Sequence, residues 1–556
     1  MKKAIALYIL CSMFVSAQYR TNQQLTDELQ RLSKQYPHVQ YRSIAKTLGG
    51  NDLWAVTIGT GEPDKKKAVL IVGGIEAHSL AGTEYALRFA GHLAKAFGSV
   101  DSITTLLNSS TVYIIPRVNP DGAGAMFASP LSERETNDTP FDDDRDGEMD
   151  EDGPEDLNKD GVISMMRITD PRGEWMLNPD DTRILKRADA SKNEQGVYRL
   201  LTEGRDNDHD EEWNEDPVGG TDLNRNFTYN YQFFGKNSGI HQISENETRA
   251  LADFVFDHPN IGSVFTFSSN DNLTVPWKNE PSKGESPVIT SAAKEDEEYF
   301  GFISKRFSEI TKLKDAPKPV KGEGAFSEWA YYHAGRWSFA VRPWWPGESA
   351  KTKDTAAVKD STKRNPESKK AEKDGSDDPV IRALKYYETA GKKDVFVPWT
   401  KFSHPDFPEQ LVEIGGIRPF VLYNPPAESL DSFSKSFSSF LTFFAAQLPA
   451  VEVTNERVER IGSGLFRVTV DVVNKGYLPT NNSLGVKTRW VRNVRVVLEQ
   501  GKGNTVTSGK LKQQLEPLKG NGGYKTLSWT IVGKGKVTIT AESPVSGRSE
   551  LKVDLK

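Results

Sequence analysis

The chain has 556 residues, 37% hydrophobic and 10% aromatic, with a formal net charge of −6. That length exceeds one ordinary domain and allows two or three, each with a core of its own. No basic surface suited to nucleic acid stands out and no apolar run of about 18 residues exists, so neither a nucleic-acid partner nor a membrane-spanning helix is expected.

The first residues, MKKAIALYILCSMFVSAQ, put two lysines before an apolar core and a small-residue site at Val15-Ser16-Ala17. They read as a signal peptide over 1–17, and predict a secreted or periplasmic protein. Cys11, the chain's single cysteine, lies inside it, and Leu10 before it argues against a lipoprotein anchor. The mature chain would then rely on core burial and metal ions, not disulfides.

A helix is predicted from Thr21 to Gln35, followed by a strand pair around Gly49-Gly50-Asn51. The apolar run Ala68–Val72 reads as a buried parallel strand. Gly73 and Gly74 follow, then a polar turn with Glu76, His78 and Ser79, then an amphipathic helix carrying Tyr85, Phe89 and Leu93. The turn after a parallel strand sits at the carboxyl edge of the sheet, where open α/β folds place ligand sites. Thr111–Ile115 is a second buried strand. Strand, helix and strand at this spacing imply a right-handed crossover and an α/β sheet.

Residues 133–216 form a long polar insertion. Asp142, Asp144, Asp146 with Gly147, and Asp156, Asn158, Asp160 with Gly161, both fit the calcium-loop pattern, with oxygens at Asp150 and Ser164 further on. The twelfth positions are Gly153 and Arg167, so the bidentate glutamate is missing and Asp152 is a partial substitute. A third run, Asp206-x-Asp208-x-Asp210, lacks the glycine. Calcium is the expected cofactor here, because carboxylates packed this densely repel without a cation. The alternative is a solvated acidic loop.

Ser244-Glu-Asn-Glu247 reads as a capping box that opens a helix. Ile261–Phe267 is an apolar strand ending in Ser268-Ser269-Asn270-Asp271, and Trp337–Val341 another, ending at Arg342. Helices are predicted around Tyr299–Ile310 and near 430–448. Residues 347–378, nearly devoid of apolar anchors, read as a disordered surface insertion. A first domain thus spans 18–448. From 450 to 556, about seven short period-2 segments separated by turns predict a β-sandwich.

With Asp222-Leu-Asn-Arg-Asn-Phe227 in place, the chain resembles the zinc carboxypeptidases of the M14 family. Gly74-Ile75, Asn119-Pro-Asp-Gly122 and Ser244-Glu245 agree in order, and the resemblance covers residues 20–445. It implies a mixed α/β sheet flanked by helices. The acidic insertion and the C-terminal sandwich look like a bacterial secreted subgroup. It also implies zinc as cofactor and peptide or protein C-termini as partners. The reaction-centre positions depart from the family. Its H-x-x-E falls on Glu76 and Ser79, with His78 two residues late; the third ligand, a histidine, falls on Ser268; the catalytic glutamate falls on Arg342. A catalytic zinc needs about three protein ligands and serine is a poor one. Arg342 cannot act as a base near neutral pH.

Asn224 and Arg225 match the family's clamp for a C-terminal carboxylate, a contact that can be bidentate. Alternatively, Arg225 is structural and pairs with an acid such as Glu76. Glu413 is a displaced carboxylate or, the favoured reading, structural. The expected protein is an exported, catalytically degenerate carboxypeptidase homologue that binds peptide C-termini. Two alternatives stand beside it: an active metallohydrolase with a site rearranged around Glu76 and His78, and a calcium-stabilised adhesion or scaffold module.

Overall fold

The apolar run that follows Lys66 becomes the middle of a six-stranded sheet in the computed structural model, which describes residues 19–143, 145–280, 289–347 and 378–556. The signal segment 1–17, Asp144 and nearly all of the insertion expected over 347–378 lie outside the described residues.

In chain order the strands before the sandwich are β1 Val39–Lys46, β2 Asp52–Ile58, β3 Lys67–Val72, β4 Ser110–Ile115, β5 Met165–Thr169, β6 Trp175–Asn178, β7 Asp181–Arg187, β8 Tyr198–Thr202, β9 Ile261–Phe267, β10 Trp337–Val341, β11 Phe396–Phe402 and β12 Val412–Ile417. The principal helices are α1 Asn22–Gln35, α2 Leu80–Ala96, α3 Asp101–Ser109, α4 Pro120–Gly124, α5 Asn246–Asp257, α6 Glu297–Thr311, α7 Phe326–Tyr332, α8 Pro379–Thr389 and α9 Leu430–Ala445.

The main sheet runs β1-β2-β4-β3-β9-β10. β3, β4, β9 and β10 are mutually parallel, and β1 and β2 join antiparallel, which makes the sheet mixed as expected. β4, β9 and β10 are buried along their whole length and β3 from Ala68 onward, which is why they read as unbroken apolar runs. α2 and α9 pack together on one face, with the Tyr85 ring stacked 4.9 Å from Phe437. Val72 pairs with Thr266 and Val341 with Phe267, so β3, β9 and β10 end level. This register brings Glu76, Ser268 and Arg342 to one edge.

The insertion is more ordered than a set of polar loops. β5 to β8 join β11 and β12 in a second six-stranded sheet, β11-β12-β5-β8-β6-β7. Met166, Ile168, Phe407, Val412 and Ile414 form a small core of its own beneath it. Glu413 pairs with Arg167 at 2.8 Å across β12 and β5, the structural role favoured for it. The capping box at Ser244 does not form. α5 is capped by Glu245 without a side-chain hydrogen bond, because Ser244 Oγ is taken by Asn226 Nδ2 (3.0 Å) and by Glu245 itself.

The C-terminal segment folds as two four-stranded antiparallel sheets, eight strands in all. Val468, Val470, Val472, Trp529, Ile531 and Ile539 fill the space between them. Asp296, buried ahead of α6, accepts from Ser483 N and Oγ and from Tyr331 Oη, tying this unit to the main sheet's helices.

Candidate functional site

The site lies at the carboxyl ends of β3, β9 and β10. Two glycines let the chain turn sharply after β3. A Cβ on Gly73 would lie 2.7 Å from the carbonyl oxygens of Gly82 and Pro116, and Gly74 has φ +58°. This close packing fixes the backbone just before Glu76.

Glu76 is buried, and its Oε1 accepts four hydrogen bonds: from Ser269 Oγ (2.7 Å), Ser269 N (2.8 Å), Ser268 Oγ (2.9 Å) and Asn224 Nδ2 (3.1 Å). The network closes on itself, because Asn224 Nδ2 also reaches Ser268 Oγ (3.0 Å) and Asn270 Oδ1 (2.7 Å). Asn224 Oδ1 in turn accepts from Phe326 N at 3.2 Å. The turn Leu223–Arg225 is held by Asp222, whose side chain accepts from Asn224 N at 2.8 Å.

Arg225 points elsewhere. Its Nη2 pairs with Glu323 Oε2 at 2.8 Å, not with Glu76, and both side chains remain about one-third exposed (33% and 30%). Gly324, beside Glu323, packs its backbone on the Arg225 carbonyl, and its own carbonyl accepts from Phe227 N at 2.9 Å.

His78 is buried against Tyr423, ring centroids 3.8 Å apart, and its Nδ1 lies 3.6 Å from Glu135 Oε1. Ser79 caps α2 without a side-chain hydrogen bond. Burial pushes the Glu135 carboxyl up, and the His78 charge offsets part of that. Asp222 is pushed up by burial first and then by Glu135 and Glu76. Tyr423 rises to about 12, by burial and then by Glu133 and Glu135. Arg342 is half-buried beside Asp271, where its charge counters the upward pull of burial on that carboxyl.

The family's metal is zinc, and these residues do not fit it. Zinc needs about three converging nitrogen, sulfur or carboxylate ligands. Among the described residues, no trio of His, Cys, Asp and Glu with ligand atoms within 4.8 Å of one another includes Glu76 or His78. One Glu76 oxygen is filled with donors, Ser268 contributes a neutral hydroxyl, and His78 faces Glu135 and Tyr423. The structure thus brings Glu76, Ser268 and Asn224 together, with His78 to one side. Four participants escaped sequence reasoning: Glu135, Tyr423, Ser269 and Glu323. No motif marks them, and Glu135 and Tyr423 lie in segments almost 300 residues apart that only the fold joins.

The trios that do converge are all in the insertion: Asp146, Glu151 and Asp208; Asp152, Asp208 and Glu215; Asp206, Asp208 and Asp210. In the predicted loops, Asp142 Oδ2 accepts from Gly147 N (3.1 Å) and Asp156 Oδ2 from Gly161 N (2.8 Å). Asp150 Oδ1 accepts from Gly219 N (2.9 Å), Asp146 Oδ1 from Glu148 N, Asn158 Oδ1 from Asp160 N, and Asp160 Oδ1 from Val162 N. Glu203, which the sequence reading passed over, braces the second loop by accepting from Leu157 N, Asn158 N and Ser164 N.

A family model described as zinc carboxypeptidase, Peptidase_M14, matches residues 25–150 and 175–349, together more than half of the chain. A domain of unknown function, DUF8731, matches residues 450–554. Among curated proteins, carboxypeptidase D of Anas platyrhynchos is 28% identical over 109 residues, 19% of this chain and 8% of that protein. The inactive metallocarboxypeptidase ECM14 of Ajellomyces dermatitidis is 34% identical over 95 residues, 16% of each. The chain therefore spans only a small part of the curated relatives it matches. Among solved structures, thrombin activatable fibrinolysis inhibitor aligns at 14% identity over 77% of this chain and 74% of that one, with a TM-score of 0.43.

Proposed function

The chain belongs to the zinc carboxypeptidase family, Peptidase M14, and from that premise we propose that it is a member without a zinc centre that binds the C-termini of peptides without cleaving them. The observation that carries this reading is the closed network around Glu76. Its Oε1 is surrounded by four donors, and the bond from Asn224 Nδ2 to Ser268 Oγ closes the ring. A catalytic zinc would have to break these bonds and then find two further ligands.

Binding falls to Arg225. Its guanidinium reaches the solvent and exchanges Glu323 for an incoming carboxylate, while Asn224 fixes the turn beneath it. Arg342, at the edge where β10 ends, adds a second positive charge to the same cleft. Both favour an anionic ligand end. We further propose export, by the N-terminal segment, and calcium in the loops that begin at Asp142 and Asp156, where each first aspartate closes onto the sixth amide. Among the described residues no helix is long and apolar enough to cross a membrane.

The test pairs two peptides that differ only in a free or amidated C-terminus. Binding of the free form alone, without release of its last residue, is the expected result. Equal binding of both would remove the Arg225 clamp, and chelator-sensitive cleavage would remove the degenerate reading.

A further inference from the structure

The insertion carries three copies of one loop. In each, the first aspartate's Oδ2 accepts the amide of the sixth residue: Asp142 from Gly147, Asp156 from Gly161, and Asp206 from Glu211 at 3.2 Å. In each, the fourth residue (Arg145, Lys159, His209) and the sixth have positive φ. The third loop manages this without glycine, because Glu211 itself adopts φ +77°.

The carboxylates between the loops point to a ligand. Asp152 and Asp216 are both fully buried (0% exposed), and an isolated antiparallel bridge pairs them; Asp152 is satisfied by Asn207 N, Asn207 Nδ2 and Asn214 N. Asp216 Oδ1 accepts from Asp143 N at 3.2 Å, but its Oδ2 meets no donor and lies against Glu151. Both carboxylate oxygens of Glu151, and both of Glu215, are shielded from solvent and also meet no donor. Asp208 belongs to all three converging trios. Buried acceptor oxygens without donors are costly, and adjacent like charges add to the cost. A hard cation relieves both.

We propose that divalent cations bridged by Asp208 sit between residues 146–152 and 206–216, with Glu151, Glu215 and Asp216 among the ligands. The all-oxygen donor set and the variety of carboxylate positions suit calcium over magnesium, which demands a regular octahedron and keeps its waters. Asp208 stands in all three groups and has two oxygens, which suits two ions that share it. The acids that the first loop lacks at its twelfth position come from outside it, in part from the third loop. The proposal takes only the identity of the ion from the reading of the first two loops.

The cluster also borders the cleft. Asp150 Oδ1 accepts from Gly219 N (2.9 Å), and Asn137 N and Gly220 N bond to Thr221 O and Thr139 O. The cations therefore clasp the strands of chain that lead into Asp222, Asn224 and Arg225.

The experiment titrates calcium into the chelator-stripped full chain by calorimetry, wild type against Asp208→Asn and Asp156→Asn. The expected result is uptake of at least two ions. Asp208→Asn should lose the bridged ions, and Asp156→Asn only one ion. Calcium should slow tryptic cleavage after Arg145 and Arg205 by about tenfold or more in wild type and not in Asp208→Asn. If Asp208→Asn fails to fold, the isosteric pair Glu151→Gln and Glu215→Gln should fold without calcium and bind fewer ions. Wild-type stoichiometry and protection in these variants, or no calcium uptake by wild type, would overturn the cluster. An Asp156→Asn protein that binds like wild type, beside an Asp208→Asn protein that does not, would remove the loop reading and leave the cluster standing.

Discussion

Glu76 and Glu151 are both acids on turns that a metal-site pattern singles out, yet their oxygens meet opposite surroundings. Glu76 Oε1 accepts from four donors on two segments of chain. Both Glu151 oxygens accept from none, and its neighbours are further acids. A carboxylate that is already satisfied has little to offer a cation, whereas one left bare in a shielded place needs a cation or a proton. In the cleft, hydroxyls and amides fill one oxygen of the buried acid. The insertion has gathered the unmet negative charge.

The largest effect that could break this contrast comes from calcium removal. At free calcium 1,000-fold above the dissociation constant, each ion should stabilise the chain by about 4 kcal/mol. Scanning calorimetry with chelator should therefore show a lower Tm, and an unchanged Tm would leave the insertion a solvated acidic loop. Next comes Glu76→Ala, which strips the acceptor from buried Ser268, Ser269 and Asn224. It should cost about 2–4 kcal/mol in denaturant unfolding without changing metal content. A stable variant with altered zinc content would mean that Glu76 serves a metal after all.

The pH dependence is a finer probe. Glu151 and Glu215 have folded-state pKa values raised from 4.5 to about 7. Between those values the folded state holds more protons than the unfolded one, so stability falls as pH rises through that window. The cation-free chain should lose Tm from pH 5 to 7 more steeply than the calcium-loaded chain, in which bound ions keep the carboxylates ionised. Glu247 and Glu328, also pushed to about 7 by burial, are common to both forms and cancel in the comparison. Parallel curves would contradict the cluster. The smallest effect belongs to Arg225→Met. Its ion pair is one-third exposed, so stability should change by less than about 1 kcal/mol. Affinity for a peptide with a free carboxylate should nonetheless drop about tenfold.

Much of the main sheet was legible because burial on both faces leaves unbroken apolar runs at β3, β4, β9 and β10. The sandwich was legible through period 2. The second sheet was not, because β5 to β8 are short and interrupt their apolar positions with Arg167, Lys186 and Arg199. At the site, the substitutions at Glu76, Ser79, Ser268 and Arg342 could be read by register. The hydrogen-bond network around Glu76 could not, since Asn224 reaches Glu76 across 148 residues. The cluster was hidden for two reasons. Its acids come from loops some 55 residues apart, held together by bonds such as Asn207 Nδ2 to Asp152 Oδ1. The third loop also fails the glycine rule while keeping the turn, through Glu211 at φ +77°.

The most direct measurement is the metal content of the chain as purified in calcium-containing buffer and desalted, read by element-resolved mass spectrometry. The account predicts at least two calcium ions per chain and zinc in fewer than about one chain in ten. Stoichiometric zinc with calcium absent would contradict it, placing the metal in the cleft and leaving the insertion's acids bare.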